Sequence, residues 1–154
     1  VDLKDLYREV ILDHNRSPRN FGRLEPADAS AAGHNPLCGD QLTVTLRMEG
    51  ENVSDLRFEG QGCAISVASA SLMTEAVRGR SRAEVQRLFE AVHGLLTGQA
   101  RAAGADPRGA GADLGKLLAL AGVAEYPARV KCASLSWHTL NAALEHVPAP
   151  VSTE

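Results

Sequence analysis

Aromatic residues are scarce: one Trp, two Tyr and three Phe make up 4% of the 154 residues. A core built from such a chain must rest on Leu, Val and Ala, and the apolar fraction of 44% is large enough to supply one. No apolar run approaches the roughly 20 residues that a membrane-spanning helix needs. The N-terminal stretch reads as an amphipathic helix of mixed charge and has no apolar h-region, so we expect a cytoplasmic protein with no membrane partner. Excess charge is lacking as well. Sixteen Lys and Arg against nineteen Asp and Glu leave a net charge of -3, with no dense basic run, and this argues against a nucleic-acid partner. Three cysteines are an odd number for a secreted disulfide framework and fit a reducing compartment better. The chain has no Gly-x-Ser-x-Gly elbow, no phosphate loop ending in Lys-Ser/Thr and no His-Glu-x-x-His, so the common hydrolase, nucleotidyl and metalloprotease chemistries have no residues to use.

What is present reads as one α+β domain. Leu3, Leu6, Tyr7, Val10 and Ile11 mark one face of a first helix that ends at Arg16-Ser17-Pro18. Residues 20–35 are rich in Pro, Gly, Ala and Asp and predict an irregular segment or a short edge strand. Gln41 to Met48 alternates polar and apolar, Glu49-Gly50-Glu51-Asn52 reads as a turn, and Val53 to Glu59 alternates again: an antiparallel hairpin. Gly60-Gln61-Gly62 breaks the second strand. A small-residue helix follows from Ala64 to Val77. Ser81 with Glu84 forms a capping box for the next helix, whose buried face is Val85, Leu88, Phe89, Val92 and Leu96. Residues from about Gly98 to Ala112 are Gly/Ala-rich with Asp106-Pro107 inside and read as a flexible loop, and a short helix is expected around Leu114–Leu120. Pro127 starts a last helix with Ala133, Trp137, Leu140 and Leu144 on its inner stripe. The order of elements predicts a single domain, a small antiparallel sheet with helices packed on one face.

The chemistry gathers at the cysteines. Cys38-Gly39-Asp40 puts a thiol and a carboxylate two residues apart, with a glycine that lets the backbone curl them toward one point. On its own C-x-D is a weak signal, and a loop Asp before a strand is commonly a solvated turn residue. Cys63 follows a Gly-x-Gly break and opens a helix, where free N–H groups favour a thiolate; the alternative is a small buried residue. The two glycines also imply close approach of something to the backbone. Cys132 is expected in the first turn of the last helix, near Arg129 and Lys131, and could equally belong to the buried face. All three thiols are expected at element boundaries. Three thiolates with Asp40 make four anionic ligands, the number that tetrahedral zinc or iron takes. Without a C-x-x-C the pattern is neither an ordinary zinc finger nor a thioredoxin-like pair. His34 is a candidate supporting donor or alternative ligand, whereas His14, His93, His138 and His146 read as surface or capping groups.

Several motifs in order resemble one family. Leu6-Tyr7-Arg8-Glu9-Val10-Ile11-Leu12-Asp13-His14, Ser17-Pro18-Arg19-Asn20-Phe21-Gly22, Asn35-Pro36-Leu37-Cys38-Gly39-Asp40, Gly60-Gln61-Gly62-Cys63-Ala64-Ile65-Ser66 and Val130-Lys131-Cys132-Ala133-Ser134-Leu135 are similar to the U-type iron–sulfur cluster assembly proteins. The likeness spans nearly the whole chain and implies the SufE/NifU-like fold. The scaffold branch of that family, IscU, usually has a His before the last cysteine, where this chain has Lys131. Its Leu-Pro-Pro-Val-Lys chaperone stretch is replaced here by Glu125-Tyr126-Pro127-Ala128-Arg129, and the run at 94–112 resembles the insertion of the SufU branch. These departures point to SufU.

That resemblance implies zinc held by Cys38, Asp40, Cys63 and Cys132. It also implies a pyridoxal phosphate-dependent cysteine desulfurase of the SufS type as partner, and downstream iron–sulfur scaffold proteins as recipients. The implied reaction is sulfur transfer, with Cys38 accepting the persulfide sulfur as the catalytic residue. A scaffold that binds a [2Fe–2S] cluster or iron through the same four residues is the alternative. A structural zinc domain that only docks other proteins is a third reading. Lys131 favours zinc and transfer.

Overall fold

The computed structural model describes residues 3–36, 39–97, 115–145 and 151–152. Helix α1 (Leu3–Arg16) is followed by strands β1 (Ala29–Asn35), β2 (Asp40–Glu49) and β3 (Asn52–Gln61). Helices α2 (Ala64–Val77) and α3 (Arg82–Thr97), a 3-10 segment (Gly115–Glu125), α4 (Pro127–Leu144) and a two-residue strand β4 (Val151–Ser152) complete the chain. The sheet order is β3-β2-β1-β4. The first three strands are antiparallel as expected, and β4 adds a short parallel pair at Gly33 and His34.

The β2–β3 hairpin forms because apolar residues recur at every second position. Leu42, Val44, Leu46, Leu56 and Phe58 all point into the core and are buried. Helices α2 and α4 cover that inner face. Helix α2 can lie close because half of its buried residues are Ala or Ser, and Ser69 Oγ donates to the Ala133 carbonyl of α4 at 2.6 Å. The capping box before α3 is formed reciprocally: Glu84 N donates to Ser81 Oγ at 3.3 Å and Ser81 N donates to Glu84 Oε1 at 3.2 Å. Of the face expected on α3, Val85, Leu88, Val92 and Leu96 are buried and Phe89 is half-buried. Helix α3 runs to Thr97, as its buried face through Leu96 predicts, so the first residues of the insertion placed at about 94–112 are the last turn of this helix, docked through Leu95 and Leu96. The remainder of that insertion, 98–112, lies outside the described residues. No helix among the described residues is long and apolar enough to cross a membrane.

Residues 29–35 correct the expectation of an irregular segment or short edge strand. They form a full seven-residue strand, paired with β2 on one side and β4 on the other. Its poor strand composition has a steric cause. A Cβ on Gly33 would collide with Thr139 Oγ1 of α4 and come within 3.0 Å of Leu135 Cδ1. Small residues at the inner positions are what let α4 cross the strand. Gly33→Ala is therefore expected to cost about 1–3 kcal/mol by overpacking. Thermal denaturation would show it, and Thr139→Ala in the same chain should restore part of the loss.

The free edge of β3 is closed at both ends. Gly22 N donates to Phe58 O at 2.7 Å and Phe58 N to Asn20 O at 3.1 Å, while Val53 N donates to Arg80 O at 2.8 Å. Such covering removes a template for edge-to-edge association.

The histidines also depart from expectation. His14 is completely buried rather than superficial: its Nδ1 meets Ser71 Oγ at 2.7 Å and its Nε2 lies 3.5 Å from Glu75 Oε1. The small residues of α2 leave space for the ring and supply its polar partner. His138 is half-buried, edge-to-face with Phe89, and burial first, then the neighbouring His93, holds it below the ordinary histidine range. His93 is exposed as expected, and His146 lies outside the described residues.

Candidate metal centre

Strand register brings the first two groups together. Asn35 pairs with Asp40 across β1 and β2, so Asp40 is the first residue of β2. Gln41 pairs with Gln61 at the end of β3, so the chain leaving β3 passes beside Asp40 before it turns into α2. Gly62 and Cys63 form that turn, and Cys63 is the N-cap residue of α2. Asp40 Oδ1 accepts the Cys63 backbone N–H at 2.8 Å, so a carboxylate caps the helix from the neighbouring strand.

The glycines around Gln61 have the role their spacing suggested, and the approaching groups are now identified. A Cβ on Gly62 would stand 2.5 Å from Asp40 Oδ1, and one on Gly60 would collide with the Gln41 carbonyl. Gly60 also has φ +142°, which other residues rarely adopt.

Cys132 arrives from the other side. It lies in the second turn of α4, close to the expected first turn or so, and is fully buried, as the alternative of a place on the helix's buried face allowed. The helix begins at Pro127, and its second turn is the part that reaches over the end of β1. There Asn35 Nδ2 donates to Cys132 Sγ at 3.5 Å.

A carboxylate oxygen of Asp40 and the sulfurs of Cys63 and Cys132 all lie within 4.8 Å of one another. Asp40 is completely buried, yet its Oδ2 has no hydrogen-bond partner among the described residues. A buried carboxylate oxygen without a partner is costly, and a cation beside two sulfurs is the partner that this donor set suits. Zinc bonds of about 2.0–2.3 Å require ligand atoms roughly 3.3–3.8 Å apart, so a contraction of at most about 1–1.5 Å would close the site. The residues fit a metal.

Arg129 completes the electrostatics. The charge of Cys63 first, then that of Cys132, holds its guanidinium above the ordinary arginine value, and hydrogen bonds to both sulfurs contribute. Its position three residues before Cys132 had associated it with that thiol alone. Lys131 is exposed. His34 is also exposed, on the opposite face of β1 from Asn35, and is not among the clustered groups. Asn35 occupies the supporting place considered for His34. Strand alternation could have indicated this, since adjacent residues face opposite ways. Cys38 lies outside the described residues. Its neighbour Gly39 adopts φ +72° and donates its N–H to the Asn35 carbonyl at 2.9 Å, consistent with the curled backbone expected there.

The model of the NifU-like N terminal domain matches residues 6–133. A relative from Bacillus subtilis named zinc-dependent sulfurtransferase SufU is 40% identical over 91% of this chain and 90% of its own length. The chain belongs to this iron–sulfur cluster assembly family. Within it, a Thermotoga maritima relative named iron–sulfur cluster assembly scaffold protein IscU is 39% identical, over 96% of this chain and 98% of its own. A crystal structure of a nitrogen-fixing NifU-like protein (N-terminal) from Brucella abortus superposes with a TM-score of 0.80 at 25% identity, covering 94% of this chain and 96% of that one.

Proposed function

We propose that this protein is a zinc-dependent sulfur carrier for iron–sulfur cluster assembly, taking persulfide sulfur from a cysteine desulfurase of the SufS type. Asp40, Cys63 and Cys132 would hold the metal, with Cys38 as fourth ligand and sulfur acceptor. The observation that carries this reading is a carboxylate oxygen of Asp40 within 4.8 Å of two cysteine sulfurs, in a buried side chain whose Oδ2 has no hydrogen-bond partner among the described residues. Cys38 is two residues from Asp40, and a two-residue span reaches at most about 7 Å, so the chain length allows it to serve the same site. The presence of Lys131 where the scaffold branch carries His, together with the name of the Bacillus relative, supports zinc and transfer.

Zinc would supply charge that keeps the cysteines as thiolates and protects them from oxidation. The chain's own residues do the rest. Asp40 anchors the carboxylate and caps α2, while Arg129 places a fixed positive charge over the sulfurs. In the transfer, the Cys38 thiolate attacks the terminal sulfur of the desulfurase persulfide. A new S–S bond forms at Cys38, the old one breaks, and the desulfurase cysteine leaves as a thiolate. The sulfane sulfur keeps its oxidation state and no external electron is needed. The product persulfide would then serve downstream scaffold proteins.

The deciding experiment measures bound zinc and iron and then desulfurase turnover under reducing conditions. Wild type is expected to stimulate turnover, and Cys38→Ala to lose most of that stimulation. Full stimulation by Cys38→Ala would remove the acceptor assignment. The family also contains proteins named as scaffolds, such as the Thermotoga relative. A labile [2Fe–2S] species with little zinc in the purified protein would favour that alternative.

A further inference from the structure

We propose that Asn35 is a positioning residue for the metal centre, donating an N–H···S hydrogen bond that orients and tunes Cys132. The inference rests on Cys132 being a ligand, as proposed above. Asn35 is completely buried at the end of β1, and its Nδ2 lies 3.5 Å from Cys132 Sγ. Its backbone is committed at the same time. Asn35 pairs with Asp40 in the β1–β2 ladder, and its carbonyl accepts the Gly39 N–H at 2.9 Å. One residue thus links the strand carrying the carboxylate ligand, the Gly39 backbone and the sulfur on α4.

The residue type matters. An amide donates to sulfur without adding charge to a site that already contains a carboxylate and the Arg129 guanidinium. A Lys or Arg there would compete with a bound cation, and an Asp would repel the sulfur. Arg129 also interacts with Cys132, but it is exposed and shared with Cys63, whereas Asn35 is enclosed by protein. Hydrogen bonds to metal-bound sulfur stabilise its lone pairs, and residues supporting a ligand typically contribute 10–100-fold to metal affinity.

The test uses Co²⁺ as the probe in the full-length protein, comparing wild type, Asn35→Ala, the near-isosteric Asn35→Asp and Cys132→Ser. The sulfur-to-cobalt charge-transfer band reports directly on the sulfur lone pairs. Wild type should show the band and Cys132→Ser should weaken it, which establishes the ligand. Both Asn35 variants should keep the band but move it to longer wavelength, because unbonded lone pairs lie higher in energy. They should also release Co²⁺ to a chelator about tenfold faster. Far-UV circular dichroism of the metal-free proteins identifies a variant that fails to fold, and Asn35→Asp retains the shape of Asn if Asn35→Ala does not fold. An unshifted band and unchanged release in a folded variant would overturn the role of Asn35 alone. A wild-type protein with no such band, or one that Cys132→Ser leaves intact, would overturn the ligand assignment and this inference with it.

Discussion

Asp40→Asn is expected to stabilise the metal-free protein and to destroy its hold on metal. The opposite signs follow from one buried side chain. Asp40 Oδ1 is satisfied by the Cys63 N–H at 2.8 Å, but Oδ2 is enclosed with no partner among the described residues. Leaving a buried polar atom unpaired costs about 1–3 kcal/mol, more where it carries charge. Asn keeps an oxygen for the Cys63 N–H and replaces the unpartnered carboxylate oxygen with a neutral amide, which removes the buried charge. Without metal the variant should gain about 1 kcal/mol, a rise of roughly 2–4 °C in Tm for a domain of this size. With metal the balance reverses, because the neutral amide is a poor ligand for a hard or borderline cation. Zinc retention against a chelator should fall at least about 100-fold, an effect larger than supporting residues usually have. Asp40→Ala should share the metal loss. Scanning calorimetry with and without zinc, combined with chelator competition, measures both arms. Undiminished metal retention would remove Asp40 from the ligand set, and a metal-free variant less stable than wild type would show that the carboxylate serves the fold.

The elements legible in the sequence are those whose signal is local. Alternation from Gln41 to Met48 and from Val53 to Glu59 encodes a hairpin because each strand buries one face. Ser81 and Glu84 encode a helix start because the two bonds they exchange lie within a single turn. The features that escaped depend on partners distant in the chain. Strand β1 has small residues because α4, about a hundred residues later, crosses at Gly33. His14 is buried because Ser71 of α2 meets it. The same distinction separates the site residues. Asp40, Cys63 and Cys132 were identifiable by residue type, and the first two by adjacent glycines. Asn35 stood in plain sight beside Pro36 but carries no chemical mark in sequence; only its contact with Cys132 reveals it. Arg129 was legible as a charge near one thiol, whereas its interaction with Cys63 requires the N-termini of α2 and α4 to converge.

Gly62→Ala is expected to disable the metal centre without altering any ligand. The added methyl would stand 2.5 Å from Asp40 Oδ1, 3.0 Å from Cγ and 3.2 Å from Cβ, so rotating the carboxylate alone cannot clear it. Asp40 has a short side chain, is fully buried, and has its backbone fixed in the β1–β2 ladder. The collision must therefore displace the carboxylate or move the β3–α2 junction that carries Cys63. Each outcome separates the Asp40 oxygen from the two sulfurs, and zinc affinity should fall by at least about tenfold. Gly60→Ala provides the contrast. Its methyl meets the backbone of β2 and its φ is +142°, so the expected defect there is in folding. A double-mutant cycle separates steric displacement of the ligand from general damage. If Gly62→Ala acts through the Asp40 carboxylate, adding it to Asp40→Ala should cost little further metal affinity and less stability than in the wild-type background, because the two nearest obstructing atoms, Oδ1 and Cγ, are gone and only the 3.2 Å approach to Cβ remains. Wild-type zinc retention by Gly62→Ala, or fully additive losses in the double variant, would show that the carboxylate does not have to occupy this position for the site to bind metal.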